Sequence, residues 1–401
     1  MLERLKEERY QDIIYKVIFL FLMLYAVFSV GMGIRDGIVE GRDFQWDSAK
    51  VLALRIDPYQ ETLAPTGSLN QYEYIEEYDR LEANQFPSLL WLLYPMTFFS
   101  AANAKIVWTV CNLLFAVGFL WGLRKTFLEK ISARGFAWCC LIFAAGTPFR
   151  NCLALGQHTL FALFFFIVAV WAAEKGYAVA AGILLSISYF KYTLIVPLVL
   201  YFIYKRWIKQ LLISVVPHIL LTLFSMWWLD KSLGYLILQP LKIATWLTDE
   251  GTIDLGKLFG NGTGILAVEM VVGLLFAIMI LFTGKNRDEK VISVLTLMSL
   301  IITYHRFYDF VVLIIPLSLA WNMKKTNLSG ILNAIIVFIS YFLFSVFIHI
   351  WGLEGKEYDL LTGVLAIVYY MLLIYETGCL LKEIKQTYQR KESWSKDEKA
   401  D

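Results

Sequence analysis

Charge is scarce in this chain: Asp, Glu, Lys and Arg make up 17% of 401 residues and nearly cancel, leaving a formal net charge of +2. No basic patch or stripe stands out, which excludes the electrostatic footprint of a nucleic-acid-binding protein. Histidine is limited to four residues and cysteine to five, Cys111, Cys139, Cys140, Cys152 and Cys379. None of them has zinc-site spacing, so no metal centre is expected. The cysteines lie in or beside apolar segments and read as small core residues, while His158, His218 and His349 are scattered and unconvincing as ligands. An internal repeat, common in secondary transporters, is also missing. The first apolar run, Ile13 to Gly33, lacks a small-residue cleavage site and is too long for the core of a removable signal, so it reads as a retained first span.

Hydrocarbon fills the space that charge leaves. Hydrophobic residues make up 58% of the chain and aromatics 16%, with a mean hydropathy of +0.60. This is the composition of a polytopic membrane protein. A span needs roughly 20 apolar residues, so the length allows about ten to thirteen crossings in one integral all-α domain.

Residues 1–16 carry Arg4, Lys6, Arg9 and Lys16, which puts the N-terminus in the cytoplasm by the positive-inside rule. The next loop, Ile34 to Gln85, is far longer than an ordinary connection and rich in carboxylates and Tyr; long ordered loops are commonly functional. Within residues 34–103, the apolar stretch after Phe86 is short for a span and is expected to lie along the outer surface or re-enter. If it crossed, the cluster Arg124, Lys125, Lys130 and Arg134 would fall outside and every later loop would break the charge rule. With that choice the chain makes about twelve crossings. The connections Glu174 to Gly176, Lys205 to Trp207, Gly284 to Lys290, Met323 to Lys325 and the basic tail 382–401 then lie inside.

Ionisable groups in or beside spans are expensive, so each is a site candidate. Arg150, Lys191, Glu269, His305 and Arg306 are predicted near the outer boundary, together with Asp43 and Asp47 of the first loop. A carboxylate beside several cations suits transfer from a lipid-phosphate donor. The carboxylate takes the proton of an attacking hydroxyl, and the cations hold the phosphate as negative charge develops on it. Because phosphate is a good leaving group, one base suffices where glycoside hydrolysis needs two carboxylates, and a single displacement with inversion is expected. Asp57 and Tyr59 in a turn-like Asp-Pro-Tyr, Gln157 after Gly156, and Tyr304 are further candidates for substrate contact.

The succession Asp43-Phe44, Asp57-Pro58-Tyr59, Phe86-Pro87 to Tyr94-Pro95, Gly156-Gln157, Gly182 to Lys191 and Tyr304-His305-Arg306-Phe307-Tyr308-Asp309 resembles glycosyltransferase family 87. These are GT-C class enzymes similar to the mycobacterial polyprenyl-phosphate-mannose-dependent mannosyltransferases. The likeness runs from the first helix to about Pro316. It implies a catalytic loop after the first helix with Asp43 as general base, and His305 lining the same pocket. It further implies a polyprenyl-phosphate sugar entering from the bilayer, a lipid or glycan acceptor, and neither a metal nor a nucleotide sugar. Lys191-Tyr192 stands where the family often has Lys-Pro, and Ile302-Thr303-Tyr304 where it often has a Ser-Pro-rich lead, so the sugar, mannose or another, stays open. Two other classes fit the composition, a lipid or polysaccharide-precursor flippase and a non-catalytic envelope-assembly protein. The simplest home is a prokaryotic plasma membrane.

Overall fold

The computed structural model describes residues 2–69, 81–246, 253, 255, 263–284, 287–322, 328–353 and 355–397. Those residues contain helices and turns and no strand, the all-α fold expected where backbone groups must be satisfied within the segment. Six helices are long and apolar enough to cross a membrane, and the bent pair Ala133–Ala145 and Thr147–Ala154 makes a seventh; four shorter apolar helices accompany them. Residues 70–80 of the loop Ile34 to Gln85, 285–286 of the connection Gly284 to Lys290, Met323 to Lys325 and residues 398–401 of the tail lie outside the described residues.

Helix α1, Leu2–Val39, contains no proline and runs 38 residues. Its last turns carry Gly33 and Gly37, and there it crosses α7, Thr147–Ala154. A Cβ on Gly33 would stand 2.9 Å from the Arg150 carbonyl oxygen, and one on Gly37 only 2.4 Å from that of Leu153. The two glycines let the backbones touch, as small residues four apart do between membrane helices. The chain then turns at Gly41 (φ 23°) and Gln45 (φ 60°), with the 3-10 turn Arg42–Phe44 between them.

Two short helices follow, α2, Trp46–Ala53, and α3, Pro58–Leu63. Helix α4, Pro87–Leu90, runs on into the 3-10 stretch Trp91–Phe98. Pro95 lies inside that stretch and removes a donor. Carbonyls near the far end are also bonded from α2, Met96 by the Trp46 indole at 2.9 Å and Thr97 by Lys50 at 2.8 Å.

Helix α5, Ala101–Thr126, starts on the Ser100 cap and ends with Arg124 and Lys125 in its last turn, where cations suit the helix dipole. After α6, Ala133–Ala145, and α7, helix α8, Thr159–Glu174, begins the central layer. It is followed by α9, Ala178–Ser188, α10, Tyr192–Leu198, α11, Leu200–Tyr204, and α12, Ile208–Leu229. By length Ala178–Leu198 passes for one span, but its neighbours show that it doubles back. A Cβ on Gly182 would meet Ile213 and the Ser186 carbonyl meets His218, so α9 and α12 run parallel. Phe190 stacks on His158 and Phe202 lies beside Phe166, so the chain returns along α8. The 3-10 turn Tyr189–Lys191 is the tip of a hairpin, in agreement with separate apolar segments on either side of Lys191.

The remaining helices are α13, Leu233–Trp246, α14, Thr263–Phe282, α15, Asp288–Ile302, α16, Ile314–Asn322, α17, Leu328–Phe338, α18, Phe344–Trp351, and α19, Gly355–Asp397. A second tip, Thr303 to Arg306, joins α15 to the 3-10 turn Phe307–Leu313 that precedes α16. At the opposite end of α15, Lys205 pairs with Asp288 at 3.0 Å, Arg287 with Glu383 at 2.9 Å, and Lys290 also with Glu383.

Candidate active site

Four chain junctions meet at the end of the bundle where α1 stops. The Asp43 amide donates to the Leu155 carbonyl at 2.9 Å, so the first loop is fixed to the turn between α7 and α8. On that turn, the Gln157 amide nitrogen donates to Asp43 Oδ2, and its carbonyl oxygen accepts from Lys191 Nζ at 3.2 Å. These two bonds orient the carboxamide, oxygen to the ammonium and nitrogen to the carboxylate. Among the described residues Asp43 Oδ1 has no hydrogen bond. One oxygen is therefore anchored and the other is free to take a proton.

Lys191 also pairs with Asp309 Oδ2 at 3.4 Å, with side chains 13% and 1% exposed, and stands 4.9 Å from the Tyr308 ring centre. Asp309 is the hub of the second layer. Oδ2 accepts from His305 Nδ1 at 2.8 Å as well, and Oδ1 accepts from the Thr159 hydroxyl at 2.5 Å. The other His305 nitrogen, Nε2, lies 3.2 Å from Thr303 Oγ1, whose proton goes to the Thr193 carbonyl. His305 thus belongs to the cluster but has no free nitrogen for a substrate, and it acts through Asp309. Lys191 has three N–H donors; one goes to Gln157, and the ammonium faces Asp309 as an ion pair. With Arg306, it is the cation able to meet a phosphate.

Burial raises the Asp43 carboxyl above the ordinary aspartate range; the Gln157 bond and the charges of Lys191 and Arg306 oppose that rise without cancelling it. A base shifted toward neutral pH is better matched to hydroxyl chemistry. Arg306 lies over the Tyr304 ring, 5.7 Å from its centre, and burial pushes the Tyr304 phenol up to about 12. Aromatic rings wall the loop. Phe44 stacks on Trp108 at 4.7 Å, and the Trp108 indole donates to the Gly156 carbonyl at 2.8 Å. His158, which its sequence context does not single out, donates from Nε2 to the Phe44 carbonyl at 2.9 Å. Burial lowers its pKa to about 3, so it serves as a neutral prop.

Other candidates stand apart. Asp47 opens α2, with its carboxylate on the Ser48 amide at 3.0 Å; burial raises it to about 6. Asp57 caps α3 through the Tyr59 and Gln60 amides and also holds Tyr235 at 2.7 Å and Lys231 at 3.4 Å. Tyr59 is fully buried and donates to the Gln85 carbonyl at 2.8 Å. Both brace the long loop against α13, and neither joins the Asp43 cluster. Glu269 lies on α14, which packs against α11 and α15, and it is not among the charges acting on Asp43. Arg150 faces a cavity of about 640 Å³ beside α1. Thr159 and Asp309 are the members least visible beforehand. The spacing of His305 and Asp309, four residues apart, was the available signal.

A partly buried carboxylate with one free oxygen, flanked by two cations on a helical membrane scaffold, is a site suited to proton transfer beside an anionic group. Residues 87–303 match glycosyltransferase family 87; this is more than half the chain, and the chain belongs to that family. It is accordingly a membrane glycosyltransferase. The matched stretch contains Arg150, Gln157, Lys191 and Glu269, while Asp43 and the 304–309 turn flank it. No curated protein and no solved structure matches the chain.

Proposed function

We propose that the enzyme moves a sugar, mannose or another, from a polyprenyl-phosphate donor to a hydroxyl of a lipid or glycan acceptor. The observation that carries this reading is the Asp43–Gln157–Lys191 relay, which holds Oδ2 of the carboxylate in line with the Lys191 ammonium and leaves Oδ1 unbonded. Asp43 Oδ1 removes the acceptor's hydroxyl proton as that oxygen bonds to the anomeric carbon. The bond from the anomeric carbon to the phosphate oxygen breaks on the opposite face, its electron pair leaves with the phosphate, and the configuration inverts. Lys191 and Arg306 stabilise the charge growing on the leaving group, so no metal is required. Asp309 positions Lys191 and His305, and Tyr304 lines the sugar side.

The reaction side is extracytoplasmic, with both termini cytoplasmic, in a plasma membrane crossed about twelve times and with residues 87–98 lying at its surface. This orientation is supported by the basic cluster around Lys205, Arg287 and Lys290, at the end of α15 away from His305. The test is transfer by purified protein in nanodiscs from a panel of radiolabelled polyprenyl-phosphate sugars to lipid and glycan extracts. Turnover of one donor identifies the sugar. Turnover of a nucleotide sugar in its place, or dependence on an added divalent ion, defeats the proposal.

A further inference from the structure

The cavity at Arg150 is not used by the reaction just described. Its volume, about 640 Å³, is within the range of small-molecule sites. Helix α1 packs mainly on α5, α6 and α7, and the cavity lies between it and the C-terminal helices α18 and α19. Part of the lining is apolar, including Met32, Phe307 and Leu353. Arg150, Asn151 and Tyr358 supply polar lining, and among the described residues none of these three side chains has a hydrogen bond or ion pair. Asp36 also lines the space, with Oδ1 of its carboxylate paired to Arg35 at 2.7 Å. Arg150, Asn151 and Tyr358 are only partly buried, so the cavity presents an accessible cation and two hydrogen-bonding side chains to a ligand.

The cavity adjoins the catalytic cluster. Phe307 in its wall follows Arg306, and Ala154 in its wall precedes Leu155, whose carbonyl holds the Asp43 amide at 2.9 Å. Lys191 is already engaged by Asp309 and Gln157, whereas Arg150 is engaged by no acid. The two cations therefore suit two different ligands.

We propose that this cavity is the acceptor subsite and takes an anionic amphiphile. Its phosphate or carboxylate meets Arg150, with Asn151 and Tyr358 donating hydrogen bonds. Its hydrocarbon leaves between α1 and helices α18 and α19, and its hydroxyl is directed toward Asp43. The acceptor role rests on the reading of Asp43 as base; the anionic site does not.

Wild type, Arg150→Gln and Arg150→Lys are compared in phosphatidylcholine nanodiscs. They are titrated separately with short-chain phosphatidylglycerol, decaprenyl phosphate and inorganic phosphate, and bound molecules are counted by native mass spectrometry. Wild type is expected to hold one phosphatidylglycerol. Loss of a charge-assisted contact weakens it about 10-fold or more in Arg150→Gln, and Arg150→Lys, which retains the charge, recovers most of it. Absence of binding in wild type, or equal binding in Arg150→Gln, overturns the site. Preference for decaprenyl phosphate over phosphatidylglycerol gives the cavity to the donor and overturns the acceptor role. Inorganic phosphate binding as well as the lipid removes the amphiphile. Asp43→Asn separates the two readings: if it transfers sugar normally the base assignment fails, while the Arg150 result stands on its own.

Discussion

Asp43→Asn isolates the base with little disturbance of shape. The asparagine carbonyl still accepts the Gln157 bond that Asp43 Oδ2 takes now, and the backbone bond to Leu155 is untouched. What disappears is the proton acceptor at the free oxygen. A positioned general base is worth about 10²- to 10⁴-fold, or roughly 3–5 kcal/mol at about 1.4 kcal/mol per decade. With the donor's phosphate proposed to lie elsewhere, on Lys191 and Arg306, the loss should fall on kcat, with KM changing less than about 3-fold. Initial rates of radiolabelled transfer at varied donor concentration measure both. Asp43→Glu keeps the charge but pushes it outward by about one methylene, and a misplacement of that order can cost ~100-fold. Wild-type kcat in Asp43→Asn, with thermal stability unchanged, refutes the assignment and turns attention to Asp47.

Transfer should fail on the acid side, because the base works ionised and burial favours its protonated form; the midpoint should lie above the ordinary aspartate value of 3.8. The Gln157 bond lowers the Asp43 pKa, so Gln157→Leu should move that limb to higher pH, a shift read from pH profiles of kcat/KM. If the limb lies near 6 and vanishes in Asp47→Asn, Asp47 is responsible, since its carboxyl is raised to about 6. Asp309→Asn leaves Lys191 and His305 buried without their shared acid, and breaking such a set costs about 3–5 kcal/mol; a melting curve in detergent that matches wild type contradicts the hub. Gly37→Ala puts a methyl 2.4 Å from the Leu153 carbonyl oxygen. Overpacking of this kind costs about 1–3 kcal/mol and should lower transfer by moving α1, and with it Asp43, off α7.

The membrane-spanning character, the special loop after α1 and the break at Lys191 were all legible, because each leaves a local trace in apolar run length or an interrupted helix. The polar wiring was not local. Asp43 and Gln157 are 114 residues apart, and Thr159 and Asp309 are 150 apart. Periodicity carries no information at that range. Asp57-Pro58-Tyr59 reads as a turn or as a substrate contact with equal ease until Lys231 and Tyr235 are seen on the Asp57 carboxylate. Gly33, Gly37 and Gly41 keep a four-residue spacing, which gains meaning only once α7 is known to lie across the first two. The clearest case is the pair of cations. In the sequence Lys191 and Arg150 look alike, each a lone positive charge beside an apolar run. Their difference lies in what answers them, a buried acid for one and an open cavity for the other. A charge already satisfied by the fold can position and polarise, whereas an unsatisfied one is left to recruit a ligand, and only the folded chain separates the two.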